Sequence, residues 1–190
     1  MNLNPKTVLL VISLWLPLVC QAQITSGLWT TNCKDGLKKE QIYENNNRIV
    51  STENFHSDQT CQNRSFSFQT IGQVSYYEES DQFIDFLYYE IFLTLFKQEL
   101  ILDFNQRKVC GISDWKLSQP QNITGLKCAI FNIGKETKIP SAGEIKYGIF
   151  QMNQNKLYYG QLSKEFNSTT PERRPMQINF LTEYIFQNSF

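Results

Sequence analysis

The sequence has a single histidine, His56, and this scarcity limits the chemistry that the chain can perform. A Ser-His-Asp or Cys-His arrangement would have to use His56 as its base, and that residue lies in a polar segment between Phe55 and Ser57-Asp58. No GxSxG, P-loop or HExxH pattern occurs. We therefore expect a protein that is not an enzyme and that uses no cofactor. A hydrolase working with two carboxylates, such as Asp85 and Glu90, is the alternative left open.

An excess of charge of either sign is also missing. Lys and Arg together number 18, as do Asp and Glu. A near-neutral surface has no electrostatic footprint for nucleic acid or for an anionic membrane. No nucleic-acid partner is expected.

The one long apolar run lies near the start of the chain, from Val8 to Cys20. Lys6 precedes it, and Cys20-Gln21-Ala22 ends it with small residues at the positions that a signal peptidase inspects. The run is well short of the roughly 20 residues that a bilayer-spanning helix needs. We expect residues 1–22 to be a cleaved signal peptide and residues 23–190 to be one exported domain, periplasmic or extracellular, without a transmembrane anchor. An uncleaved membrane anchor and a lipoprotein signal are the competing interpretations.

Four cysteines follow the predicted signal peptide: Cys33, Cys61, Cys110 and Cys128. An even number of cysteines in an exported chain predicts two disulfides, with three possible connectivities. We favour the sequential pairing of Cys33 with Cys61 and Cys110 with Cys128, because it closes short loops. No metal is expected, since the chain has no CxxC pair and only one histidine.

Apolar and polar residues alternate through most of the chain with the period of a β-strand. The clearest runs are residues 64–70 and 176–186, and a polar loop at 153–155 joins 145–152 to 156–162 as a hairpin. Further strands are predicted at 24–31, 38–45, 47–56, 73–79, 83–92 and 127–133.

One stretch departs from this period. From Thr94 to Arg107, apolar residues recur every four positions, which predicts an amphipathic helix packed on the sheet. The fold class expected is mainly β: an antiparallel, lipocalin-like barrel or half-barrel with one amphipathic helix and two disulfides.

Aromatic residues recur within the predicted strands, as at Phe86 and Tyr88. Such residues form either a packed barrel core or the lining of a cavity for a lipid or other apolar ligand. In 83–92 each of the two alternating faces carries one acidic residue, so which face points inward stays open. The loop between Cys110 and Cys128, which carries Trp115, is the candidate contact surface for a protein partner, because a disulfide preorganises a loop.

Several short motifs carry a family resemblance. Their order along the chain is Gly27-Leu28-Trp29, Cys33, Tyr43, Asn45-Asn46-Asn47, Asp58-Gln59-Thr60-Cys61, Gly72, Tyr147-Gly148-Ile149-Phe150, Lys156-Leu157-Tyr158-Tyr159-Gly160 and Arg174-Pro175. This order resembles the adenomatosis-polyposis-coli-down-regulated (APCDD) domain family, which also has small exported bacterial members. The resemblance implies a lipocalin-like barrel with disulfides. The vertebrate members of that family are membrane-anchored Wnt inhibitors that hold the lipid of their partner in an apolar cavity, and for a eukaryotic chain the resemblance implies a Wnt-type partner.

Lipocalins are the neighbouring alternative, because they too open with a Gly-x-Trp motif. In them the tryptophan plugs the barrel base against a late arginine, which here would be Arg173 or Arg174 stacking on Trp29. The binding candidates are Trp29, Phe86, Tyr88, Trp115 and Arg174.

The function expected is that of an exported protein that binds a hydrophobic small molecule or acyl group. A disulfide-stabilised protein-interaction module with a packed barrel is the alternative. In a eukaryotic secretory protein the acceptor motifs at Asn63, Asn122 and Asn167 would be glycosylation sites.

Overall fold

The computed structural model describes residues 23–77, 80–130 and 135–187. The predicted signal peptide lies outside these ranges, as do residues 78–79 and 131–133 of two predicted strands. The strands are β1 (Gly27–Thr31), β2 (Leu37–Tyr43), β3 (Arg48–His56), β4 (Arg64–Tyr77), β5 (Ser80–Leu95), β6 (Gln121–Asn122), β7 (Lys127–Cys128), β8 (Thr137–Lys138), β9 (Ile145–Asn153), β10 (Lys156–Tyr159) and β11 (Tyr184–Gln187). The helix α1 spans Gln98–Arg107, and single 3-10 turns form at Val109–Gly111 and Pro171–Arg173.

Eight of the strands form a ring of antiparallel neighbours. The hydrogen-bonded order is β4-β3-β2-β1-β11-β10-β9-β5, and β5 also pairs with β4, which returns the order to its start. The β10–β11 contact is narrow, with two residue pairs only. This near-closed ring and its single α-helix within the described ranges confirm the predicted fold class.

The long hairpin of β4 and β5 settles which face of β5 points inward. Ile84, Phe86 and Tyr88 lie on the inner face, opposite Tyr76, Val74 and Gly72 of β4. A register shift then follows opposite the Ile71–Gly72 step, and beyond it Ile91, Leu93 and Leu95 take the inner face. An irregularity of this kind offsets the alternation by one residue. The odd-numbered and the even-numbered residues of 83–92 therefore each point inward over only part of the strand.

Two hydrophobic cores lie along this inner face. The barrel core comprises Ile24, Trp29, Tyr43, Ile49, Val74, Ile84, Phe150, Leu157 and Tyr184. The second core forms where Ile101 and Phe104 of α1 pack against the C-terminal half of β5, together with Val109, Cys110, Trp115, Ile123, Cys128 and Ile139. There Phe104 of α1 meets the Trp115 ring edge-to-face at 5.5 Å between centroids.

Both predicted disulfides are present. Cys33 bonds to Cys61, joining the loop after β1 to the loop after β3. Cys110 bonds to Cys128, joining the 3-10 turn after α1 to β7. The sequential connectivity is therefore confirmed. Along the chain, the first bridge precedes the β4–β5 hairpin and the second follows α1.

The helix begins later than predicted. Residues 94–95 continue β5, because Leu95 pairs with Phe66 of β4 and is completely buried in that register. The chain therefore stays a strand through Leu95 despite its helical periodicity, and α1 starts at Gln98. None of the described helices is long and apolar enough to cross a membrane.

The strand predicted over 176–186 is also mostly wrong. Only Tyr184–Gln187 is a strand, and before it a single bridge joins Gly160 to Ile178. Met176, Phe180 and Leu181 are 75%, 62% and 81% exposed. The alternation was real, but this segment lacks a continuous sheet neighbour that would bury its apolar face.

Candidate functional site

A cavity of about 390 Å³ lies on the inner face of the ring, between the two cores. Its apolar lining comes from both sides. Ile49 belongs to the barrel core and Phe86 packs against it, whereas Phe68 and Tyr88 pack against the second core. The cavity reaches the wall of the ring beyond the end of β10, where Gly160 and Leu162 line it.

Strand register explains why these side chains converge. Ser51 of β3 stands opposite Gln41 of β2 and Thr70 of β4, and all three line the cavity. On the other side of the ring, Phe86 of β5 stands opposite Lys146 of β9. Directly paired residues project to the same face of a sheet. With Tyr159 of β10, six strands therefore contribute to one lining.

A small cluster of charged residues lies at this lining, to which Glu53 and Lys146 belong. Lys39 and Glu53 are a cross-strand pair of β2 and β3, with Lys39 Nζ 2.5 Å from a Glu53 carboxylate oxygen. Lys146 approaches from β9, and burial lowers the pKa of its ammonium group; the Glu53 carboxylate partly opposes that effect, and Lys39 adds to it. Across the described ranges, Lys146 makes no ion pair within 4.0 Å. The cavity therefore contains a cation without a close partner.

A hydroxyl and amide network borders the same space. Tyr43 and Tyr159 share a short hydroxyl–hydroxyl hydrogen bond. The Tyr159 hydroxyl also lies 2.5 Å from Gln41 Oε1, to which it donates. Burial raises the pKa of both phenols well above their usual value. These groups are therefore neutral at physiological pH and offer hydrogen bonds rather than charge.

The buried tyrosines predict an alkaline limit to stability. Burial raises the pKa of Tyr76 and of Tyr88 from 10.0 to about 12. Between these values the unfolded chain releases phenol protons that the folded chain retains, so the stabilisation is complete below pH 10 and is lost as pH rises towards 12. The free energy of unfolding, measured by denaturant titration, should fall by a few kcal/mol over this interval. Tyr88→Phe should flatten the fall, whereas Tyr89→Phe on the exposed face should not; equal slopes in both variants would contradict the assignment.

The predicted binding residues separate into two groups. Phe86 and Tyr88 both line the cavity, as a ligand-binding role requires. Trp29 is buried in the barrel core instead, with its ring 5.0 Å from that of Phe186 and its indole N–H donated to the Thr25 carbonyl.

The predicted stacking of a late arginine on Trp29 is wrong. Arg174 lies 4.4 Å above the Phe83 ring and forms an ion pair with Asp85, on the outer face of β5. Arg173 donates to the main-chain carbonyls of residues 164 and 165. Trp115 is 2% exposed, so its side chain is not available as a contact residue. The loop between Cys110 and Cys128 that carries it stays a predicted contact surface.

The two carboxylates considered for hydrolysis have different partners. Asp85 is engaged by Arg174, whereas Glu90 faces the Asn122 amide at 3.4 Å. His56 ends β3 with its Nδ1 atom 3.1 Å from the Gly36 carbonyl oxygen.

Sequence reasoning missed Lys146, Glu53 and Gln41. The Lys39–Glu53 pair could have been predicted from the sequence. If β2 and β3 form a hairpin around the turn after Tyr43, these two residues are equally far from the turn and lie opposite each other. No feature of the sequence indicated Lys146. The alternation predicts that its neighbours Ile145 and Tyr147 lie on the buried face, yet Ile145 is 39% exposed.

No protein-family model matches this chain. A search of the curated proteins finds no relative either.

Proposed function

We propose that this protein binds an apolar small molecule or acyl group in the cavity inside its barrel. The supporting observation is the cavity itself: about 390 Å³, within the range typical of small-molecule sites, and walled by Phe68, Phe86, Tyr88 and Ile49. A solidly packed barrel would have no such space between its two cores.

The balance of polar and apolar groups fits this role. Half of the eighteen lining residues are aromatic or aliphatic, and three more are glycines. The polar side chains are those of Gln41, Ser51, Glu53, Thr70, Lys146 and Ser168. Ligand pockets are typically apolar with a small number of placed polar groups that orient the ligand. We infer in addition that the protein works outside the cytoplasm, because two disulfides are typical of oxidising compartments.

A neutral fluorescent probe, N-phenylnaphthylamine, tests the binding role. We expect saturable binding to the disulfide-intact protein, with an emission increase from the dry environment. Ser51→Phe should weaken binding at least about tenfold, because the new ring fills a site where Ser51 lines the cavity. The matched control Ser75→Phe changes an exposed serine of β4 and should bind like the original protein.

Circular dichroism of both variants verifies that they fold. Unsaturable or absent probe binding by the original protein, after extraction of any co-purifying lipid, would refute the proposal.

A protein-interaction module is the second candidate, and one observation favours it. The segment before β11 exposes Met176, Phe180 and Leu181, three large apolar side chains close together in sequence. Exposed apolar clusters are typical of contact surfaces. A relation to the APCDD family, a Wnt-type partner and the absence of catalysis stay predictions.

A further inference from the structure

The strongest feature that the binding role leaves unexplained is the unpaired ammonium group of Lys146. Lys146 stands opposite Phe86, so its side chain projects to the inner face and lines the cavity. Its neighbours along β9 on that face are Gly148 and the fully buried Phe150. A lysine placed there is withdrawn from water, which is costly unless an anion compensates it.

The charged groups at the cavity leave Lys146 without a close counter-ion. Lys146 of β9 and Glu53 of β3 are the charged residues of the lining, and Lys39 of β2 adjoins the lining as the partner of Glu53. Glu53 is already held at 2.5 Å by Lys39.

The remaining titratable groups near the cavity do not supply Lys146 with a partner. Tyr88 of β5, Tyr43 of β2 and Tyr159 of β10 are neutral phenols at physiological pH. Glu144, just before β9, is exposed, lies outside the lining and accepts a hydrogen bond from the Ser141 backbone N–H. A ligand carrying one negative charge would therefore give Lys146 the counter-ion that it lacks among the described residues.

We propose, building on the binding role, that the ligand is a singly charged anionic amphiphile of the fatty-acid class, with its carboxylate bound to Lys146 and its acyl chain against Phe68, Phe86 and Tyr88. The ammonium group supplies up to three hydrogen-bond donors to such a head group. Gln41 and the Tyr159 hydroxyl lie in the same lining and provide further polar partners. Hydrogen bonds that involve a charged group are stronger than neutral ones, and a half-buried pair is screened little by salt.

Paired ligands of equal chain length separate charge from apolar contact. Decanoate and methyl decanoate share their chain and differ in the negative charge, and both can be titrated against bound N-phenylnaphthylamine. In the original protein, decanoate should displace the probe at a concentration at least about tenfold below that of the ester.

Two substitutions should move this preference in opposite directions. Lys146→Met keeps an unbranched apolar stem without the charge, and it should abolish the preference for decanoate, so that acid and ester displace the probe at similar concentrations. Glu53→Gln removes the competing carboxylate and should strengthen decanoate binding. Lys138→Met, on the exposed strand β8, is the matched control and should behave like the original protein.

The outcomes distinguish this inference from the binding role. Probe binding with equal displacement by acid and ester would overturn the anionic ligand and leave the apolar cavity standing. If the probe does not bind, calorimetric titration with decanoate alone decides: no Lys146-dependent heat would overturn the inference as well. Thermal unfolding of each variant shows whether a loss of binding is a loss of fold.

Discussion

Replacing Arg174 with alanine should lower the free energy of unfolding by about 3–5 kcal/mol, because Asp85 would stay buried without its counter-ion. The Arg174 Nη1 atom lies 2.7 Å from Asp85 Oδ1, and the two side chains are 9% and 7% exposed. The same guanidinium donates to the Gly148 carbonyl at 2.6 Å and stacks on Phe83. Denaturant titration at neutral pH measures the loss.

The adjacent arginine is the control for this prediction. Arg173→Ala removes a more exposed side chain that bonds only to main-chain carbonyls, and it should cost about 1 kcal/mol or less. The double replacement of Arg174 by Met and Asp85 by Leu should recover much of the stability, since an apolar pair can replace a buried ion pair. Equal losses for Arg173→Ala and Arg174→Ala would show that the ion pair is not what holds this face.

Replacing Trp29 with alanine should cost about 3–5 kcal/mol of unfolding free energy, as expected for a large ring removed from a packed core. Trp29 is 1% exposed and its ring packs against Phe186 of β11. Trp29 therefore holds β1 against the barrel core and is not a wall of the cavity. Thermal and denaturant unfolding measure the effect.

Ile42→Ala is the comparison for Trp29, because Ile42 lies on the neighbouring strand and is 44% exposed. Its loss should stay below about 1 kcal/mol. Under conditions where Trp29→Ala is still folded, its affinity for N-phenylnaphthylamine should match that of the original protein. A selective loss of probe binding would instead make Trp29 a ligand contact.

Much of the fold was predictable because one face of each strand is buried. Alternation located the strands up to the Ile71–Gly72 step and the hairpin around Gln154, whose positive φ of 56° suits a tight turn. The disulfide pairing followed from loop length, since both bonds close the short loops.

Features set by distant contacts were not predictable. The bulge opposite Gly72 inverts the two faces of β5, and nothing in 83–92 by itself marks that position. Gly72 is the residue whose type reflects the bulge. A Cβ at this position would lie 2.3 Å from the Leu87 carbonyl oxygen, which is too close for any other residue. Similarly, the helical period from Thr94 was outweighed at Leu95 by pairing with Phe66 across β4.

The candidate site was predicted in its apolar part and missed in its charged part. Phe86 and Tyr88 stood out because aromatics in strands are the usual material of a barrel interior. Lys146 did not, since its place on the inner face depends on its pairing with β5, which is about sixty positions away in sequence.

The pairing of β1 with β11 has a consequence for how the chain acquires its structure. Trp29 faces Phe186 across these strands, so the first wall of the ring is completed by residues synthesised last among those described. Until they are available, β1 and β10 each present an unpaired edge, and such edges associate readily with other chains. A chain that ends before Tyr184 therefore lacks β11, and its ring stays open between β1 and β10.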